Sequence, residues 1–493
     1  MKSVLIREQK RYSIVELTER FNCTEPQIKP ILRKLKEYGV LKTVKADKDK
    51  KDLTDLVEAD IEISNIDSAT DKYYYVFTFV GVISLSGYIL ICYPKYYLND
   101  DCSLEDIKQS WKVIEKYNSK EQIIKMYNES NDNGSYNLLA LMLYLLNDYH
   151  EYGSYSNDQD IIQINGTGEI LWEKTINETF TLISNNRPYY PELLTRKRVN
   201  DDYDYFKRLH ECILSISTEE LEKAKLLDLF DIHGVYVSDE VLDDFGDTDY
   251  ILSRIEKELN VQFNTRKQLL LKLLYTYISN NSSLNDIDCF SMYGTNNFNL
   301  VWEKACASVL DNQLDTAIQS IKLPIPLDEA YNKKNVVLKD VINHPIWTGY
   351  GINEEVFTHK ADTLIPDIIT ICESASEDDD NKYYVNIYDA KYYNLQLEEG
   401  KPLLGQPGIE SITKQYLYQR AYQEFFKDHG INDIKNCFLF PTKETEFIHK
   451  GFVTLDFLKS LGLADIQIWL LPVKEVFDKY LHNEKVSIEL FNE

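Results

Sequence analysis

Three residues near the carboxyl-terminal end have the types and the spacing that phosphodiester hydrolysis needs: Asp367, Asp389 and Lys391. Pro366-Asp367 stands immediately before an Ile-rich run within TLIPDIITI, residues 363–371. A second β-rich run, YYVNIYDAK at 383–391, ends in Asp389-Ala390-Lys391. Two carboxylates can hold Mg²⁺, with Mn²⁺ as an alternative, because hard cations take oxygen ligands. Such an ion polarises a phosphate and acidifies bound water, while the lysine orients that water or offsets developing negative charge.

For this chemistry to occur the three side chains must meet, and the neighbouring sequence supplies a means. The polar stretch ESASEDDDNK, 373–382, separates two hydrophobic runs, so the pattern predicts a hairpin with a solvated tip. Side chains alternate along a strand, which puts Asp389 and Lys391 on one face and lets the hairpin bring Asp367 to them. An isolated Asp-x-Lys among 80 acidic residues means little, and a charged strand end is ordinarily a solvated edge. The agreement of two strands with motifs at matching ends is what carries the reading.

Flanking segments extend the set. FNLVWEKACASVL, 298–310, reads as a helix whose Glu303 could join Asp367 and Asp389 as a third metal carboxylate. A helix from about Ser411 repeats Gln415, Tyr418, Gln419 and Tyr422 at three- and four-residue spacing, a shared face. Gln415 there is a candidate catalytic neighbour that buttresses Lys391 or touches DNA, and the tyrosines serve equally well as core. CFLFP and IQIWLLP then read as further strands of an α/β core.

At the other end, Ile14, Leu17 and Phe21 form a short stripe, and Ile28, Ile31, Leu32 and Leu35 a second. Thr24 with Gln27 makes a capping box, Pro26 fits the first turn, and Pro30 is expected to bend or delay the helix. VLKTV, 40–44, reads as a strand, completing the outline of a winged helix-turn-helix. Gln27, Lys29, Arg33, Lys34 and Lys36 are its candidate DNA contacts, although the same outline also serves protein docking. Residues 45–71 are charged and suit a wing or linker, and residues 73–97 read as one aromatic-rich β-hairpin.

The chain of 493 residues is 44% hydrophobic and 27% charged, the balance of a multidomain globular protein. Its formal charge of -26 opposes polyanion binding, but residues 1–51 hold 14 Lys and Arg against 7 Asp and Glu. Eight scattered Cys with no CxxC signal neither a disulfide scaffold nor a zinc site. MKSVLIREQKRYS lacks the pattern of a secretory signal, and apolar runs fall short of the roughly 20 residues of a spanning helix. A cytoplasmic protein with no membrane partner is expected.

These readings define a multidomain α+β chain: a winged helix-turn-helix at 1–70, a β-hairpin region at 71–100, a mainly helical connector at 101–290, and an α/β nuclease core at 291–493. The sequence resembles the LlaJI family of restriction endonucleases through GVISLSGYILICYPKYY, HPIWTGYGINEE and the PD and DAKYY motifs, and its last third is similar to McrC nuclease subunits. Within the wider PD-(D/E)XK superfamily the matching residues are Asp367, Asp389 and Lys391, with Asp389 where many members carry Glu. Matches at Glu303 and Gln415 are looser. The resemblance implies cleavage of foreign double-stranded DNA alongside a methyltransferase and a McrB-like AAA+ NTPase. No GxxxxGK[ST] occurs in this chain, so that motor would be a separate subunit. A nuclease without sequence specificity and a non-catalytic DNA-binding adaptor are the competing readings.

Overall fold

The computed structural model describes residues 2–45, 73–98, 102–118, 137–200, 204–280, 284, 290–329, 331–350, 356–373, 383–459, 461–487 and 491. The expected wing or linker from residue 46 onward, the loop at 129–135 and most of the polar tip at 373–382 lie outside them. The fold is mixed α+β, with several separate sheets. It divides into two compact units, one made of Lys2–Ile83, Tyr88–Ile123 and Tyr293–Glu493, the other chiefly of Ile124–Met292.

In the first unit β1 (Lys2–Arg7) and β2 (Arg11–Tyr12) precede helices Ile14–Phe21 and Glu25–Glu37. Ser13 Oγ caps the first helix by accepting the Glu16 N–H at 3.1 Å, and Asn22 ends it in the left-handed region. The second helix starts with the expected Thr24–Gln27 capping box and runs straight through Pro30. The start is not delayed, and Ile28, Ile31, Leu32 and Leu35 bury the stripe that holds the helix. Next come β3 (Leu41–Lys45), β4 (Tyr73–Phe77), β5 (Val80–Leu85) and β6 (Tyr88–Tyr93).

The predicted hairpin at 73–97 is divided between two sheets. β4 pairs with β2 and β3 beside the helix pair, while β5 and β6 form a hairpin across Ser86-Gly87, both at positive φ. β6 then takes β1 as a parallel neighbour, Lys2 opposite Tyr88 through Arg7 opposite Tyr93. Helix Leu104–Tyr117 follows.

The second unit is less helical than its sequence suggests. Helices Leu138–Tyr152, Tyr205–Lys223, Thr248–Val261 and Thr265–Asn280 are present. Between the first two lie β7 (Asp158–Ile164), β8 (Glu169–Ile170), β9 (Leu182–Ser184), β10 (Arg187–Tyr189) and β11 (Leu194–Asn200). These make two small sheets, β7-β11-β8 and β9-β10, the latter turning at Asn185-Asn186 with positive φ at both. Arg266 grips Asp148 at 2.7–3.1 Å and joins two of the helices.

The remaining elements return to the first unit. β12 (Phe290–Thr295) lies beside β5 and leads into helix Phe298–Val309. An exposed ribbon, β13 (Ile346–Tyr350) and β14 (Val356–Lys360), precedes the five-stranded sheet. That sheet contains β15 (Ile368–Glu373), β16 (Tyr383–Ala390), β17 (Asp433–Thr442), β18 (Ile448–Val453) and β19 (Ile466–Pro472), in the order β15-β16-β17-β19-β18. β16, β17 and β19 are parallel, and helix Ile409–Asp428 makes the crossover from β16 to β17. Its Tyr418, Tyr422, Phe425 and Phe426 pack on Ile369, Val385 and Ile387.

Where β5 meets β12 the two backbones nearly touch. A Cβ on Gly294 would lie 2.1 Å from the Val80 carbonyl oxygen, and its φ of 156° is also hostile to side chains. Gly294→Ala should therefore destabilise the first unit by about 1–3 kcal/mol in denaturant unfolding.

In the second unit His210 is fully buried and accepts the Tyr155 N–H at 3.0 Å through Nδ1. Burial, helped by the Arg266 charge, depresses its pKa to about 3. Between that value and the ordinary one near 6.5 the unfolded chain binds the extra proton, so stability falls as pH drops. Urea unfolding should lose about 2 kcal/mol between pH 7 and pH 5 from this group. His210→Asn, which keeps an acceptor for Tyr155, should flatten that dependence.

Candidate active site

The cutting residues predicted from the sequence meet at one end of β16. β15 and β16 pair antiparallel with Ile368 opposite Tyr388, so Asp367 leaves its strand level with Asp389 and Ala390. Asp367 Oδ2 accepts the Ala390 N–H at 3.0 Å, carrying the ladder one step past the end of β15. Lys391 Nζ lies 2.8 Å from Asp389 Oδ2, and its own N–H donates to the Leu439 carbonyl at 2.8 Å. Lys391 is thus held by the sheet backbone and by its ion pair.

Asp367, Asp389, Lys391 and Glu303 line one cavity of about 250 Å³, whose wall is mostly polar. Burial raises the Asp367 pKa well above the carboxylate range, and the adjoining charges of Asp389 and Glu303 add to it. Glu303 is raised as well, by burial first and by Asp389 second. Burial works against the charged form of Lys391, but Asp389 and Asp367 outweigh it and leave the lysine above its usual range. The site gathers like charge around Lys391.

Gln415 is placed elsewhere. It is completely buried, and its Nε2 donates to the Ile387 carbonyl at 2.9 Å. It ties helix Ile409–Asp428 to the strand that carries Asp389 and lines no part of the cavity, so it acts on the centre only through β16. The residue beside it, Lys414, does line the cavity, together with Tyr418 and Asn299. Sequence reasoning passed over Lys414 and Asn299. The usable signal was helical spacing, since each stands four residues before a residue already singled out, Tyr418 and Glu303. Tyr418 donates its O–H to the Ile365 carbonyl at 2.8 Å and so fixes the chain entering Asp367.

The candidate DNA-contact residues are on the second amino-terminal helix, and Gln27 and Lys29 have local partners there. Gln27 Oε1 receives the Thr24 N–H at 2.9 Å as part of the helix cap. Lys29 pairs with Glu25 at 3.0 Å. Arg33 is exposed, and Lys34 and Lys36 are partly so.

The donor set suits a hard divalent cation: carboxylate oxygens around a polar cavity, with excess negative charge that such an ion would relieve. Among the described residues no three His, Cys, Asp or Glu groups form a ready-made metal cluster.

The pair of carboxylates and the lysine thus stand together at the end of a mixed sheet. Residues 79–474 match the model of the LlaJI restriction endonuclease family, and the chain belongs to that family, a group of restriction-system proteins. It is similar to the Bacillus subtilis type II restriction enzyme BsuMI component YdjA, with 28% identity over 439 residues, 84% of this chain and 82% of that protein. Among solved structures it resembles a chain of the Thermococcus gammatolerans assembly of McrB AAA+ hexamers with bound McrC, at 12% identity, covering 98% of this chain and all of the other, with a TM-score of 0.35. A second likeness, to the McrBC complex of the same organism, has 14% identity and a TM-score of 0.26, covering 62% of this chain and 85% of that one. Among the described residues no helix is long and apolar enough to cross a membrane.

If the carboxylate crowding is as described, Asp367→Asn should relieve it. The amide oxygen still accepts the Ala390 N–H, and the amide N–H₂ can donate to Asp389. Without added metal the variant should melt higher than the parent, by about 2–4 °C for each kcal/mol gained. An unchanged or lower melting temperature would show that Asp367 is comfortable where it is.

Proposed function

We propose that this chain is the nuclease subunit of a bacterial restriction system, cutting unmodified foreign double-stranded DNA by metal-dependent hydrolysis at a PD-(D/E)XK-type centre. The observation that carries the reading is the convergence of Asp367, Asp389 and Lys391 at one cavity, by the register of β15 on β16. Family membership supports the substrate class. Asp367 and Asp389 would hold Mg²⁺, or Mn²⁺, with Glu303 at the margin of the set; one or two carboxylates suffice for an ion that keeps water and phosphate ligands. When bound, the ion supplies Lewis-acid polarisation of the phosphate and acidified water.

The remaining steps belong to the side chains. Asp389 keeps Lys391 charged and aimed into the cavity, where the ammonium can hydrogen-bond the attacking water or offset charge on the phosphate. Lys414 adds a second positive group at the rim for the DNA backbone. Gln415 and Tyr418 hold β16 and the Asp367 approach in place. The amino-terminal helix pair acts as a winged helix-turn-helix, with Arg33, Lys34 and Lys36 on its second helix as candidate DNA contacts.

The partners in this reading are a separate McrB-like AAA+ NTPase and a DNA methyltransferase that marks host DNA. The Bacillus subtilis relative is a component of its restriction enzyme, which favours a multi-subunit system. So does the absence of a phosphate-binding GxxxxGK[ST] from this chain.

The purified chain, tested with and without a candidate McrB-like NTPase, should cut unmethylated plasmid to discrete fragments when Mg²⁺ is supplied, and EDTA should stop it. Lys391→Ala and Asp389→Asn should each lower the cutting rate by about a hundredfold or more while DNA affinity stays within a few fold. Cutting that survives Lys391→Ala would remove the centre from the mechanism.

A further inference from the structure

A buried polar cluster lies directly behind the cutting centre, and it is made by parts of the chain far apart in sequence. Tyr392, next to Lys391, is buried and donates its O–H to Glu8 Oε2 at 2.7 Å. Its hydroxyl also receives the Lys95 N–H at 3.3 Å, and the Asn394 side chain donates to the Lys95 carbonyl at 2.7 Å. Glu8 and Lys95 are themselves buried. The Tyr392 ring packs on Phe298, 5.3 Å between centroids, which opens the helix carrying Asn299 and Glu303 to the cavity.

Glu8 is set at a structural corner. Its N–H donates to the Tyr93 carbonyl at the end of β6, and the Gln9 N–H donates to the Phe77 carbonyl at the end of β4. One residue pair thus joins the four-stranded sheet to the small sheet beside the amino-terminal helices. The Glu8 side chain then reaches the residue after the candidate catalytic lysine. A buried carboxylate at such a corner costs more than an apolar pair of the same size, so its presence calls for a geometric purpose.

We propose that Glu8 is a positioning residue for the cutting centre, acting through the Tyr392 hydroxyl to hold the strand end that presents Lys391. Order in the amino-terminal module is then a condition of cutting. The proposal rests on the nuclease reading above for what Lys391 does, but the link between Glu8 and the strand end can be measured without it. A hydrogen bond to a buried charged group is strong enough to matter here, and a misplaced catalytic group is costly.

The experiment compares the parent with Tyr392→Phe, Glu8→Ala, Glu8→Gln and Lys391→Ala, in the presence of Mg²⁺ and a candidate McrB-like NTPase. Tyr392→Phe should cut about tenfold or more slowly in a single turnover, with DNA affinity within about twofold of the parent. Glu8→Ala, which leaves the phenol without that acceptor, should slow cutting about as much as Tyr392→Phe, and Glu8→Gln, whose amide oxygen still accepts the phenol proton, should hold the rate within about threefold of the parent; Glu8→Ala cutting at the parental rate also overturns the proposal. Tyr392→Phe cutting at the parental rate overturns the proposal, as does a matching loss of rate and affinity, the sign of general unfolding. If parent and Lys391→Ala cut alike, the nuclease reading is what fails. Amide exchange then decides the positioning claim: faster exchange at 391–394 in Tyr392→Phe, with 437–440 unchanged, supports it, and unchanged exchange at 391–394 overturns it.

Discussion

The functional part of this molecule depends on one register, that of β15 against β16. With Ile368 opposite Tyr388, Asp367 falls just beyond the last paired residue, where the Ala390 N–H has no strand partner left and turns to the carboxylate instead. A slip of one residue would move Asp367 out of line and turn Ile369 away from the helix that covers it. The apolar packing of Ile369, Val385 and Ile387 under Tyr418 and Tyr422 therefore specifies the position of the acid. Hydrophobic burial does the aligning, and the polar groups are carried to their places by it.

Electrostatics pulls the other way. Three carboxylates share a small cavity with Lys391, and burial raises both Asp367 and Glu303. A fold selected for stability alone would not collect them, since each desolvated charge near a like charge works against the compact state. Surrounding structure over-determines the arrangement. Lys391 is fixed through its N–H to Leu439, Asp367 through Ala390, and β16 through the Gln415 amide on Ile387. Strained polar groups persist where the backbone leaves them no alternative.

What could be read from the sequence follows the range of the interactions. Asp367, Asp389 and Lys391 were legible because strand alternation and a local hairpin are encoded within about 25 consecutive residues. The Thr24–Gln27 cap was legible for the same reason. Gln415 was picked out by helical spacing, yet spacing alone could not tell a side chain aimed at the cavity from one bonded to a neighbouring strand. β4 looked like the first arm of a hairpin because Tyr73–Phe77 and Val80–Leu85 are equally β-prone, and partner choice was a tertiary matter. Residues 158–200 read as part of a helical region, whereas their short strands pair through Asn turns that apolar periodicity does not register. The parallel pairing of β1 with β6 has no local signature at all.

The same distinction of range bears on how a chain with a formal charge of -26 can hold a polyanion. Its positive excess is local to the amino-terminal residues, and there Lys29 is already paired with Glu25 and Gln27 is spent on a cap. In the proposed reading a duplex at that end feels those charges only within about a Debye length, near 8–10 Å at ordinary salt. In the proposed reading, packed structure as well as charge carries the influence of that module to the cavity. Within the compact unit shared by Lys2–Ile83 and Tyr293–Glu493, the corner at Glu8 and the phenol of Tyr392 form such a solid connection. A directional hydrogen bond between buried groups keeps one alignment, where an apolar contact of equal area would tolerate several.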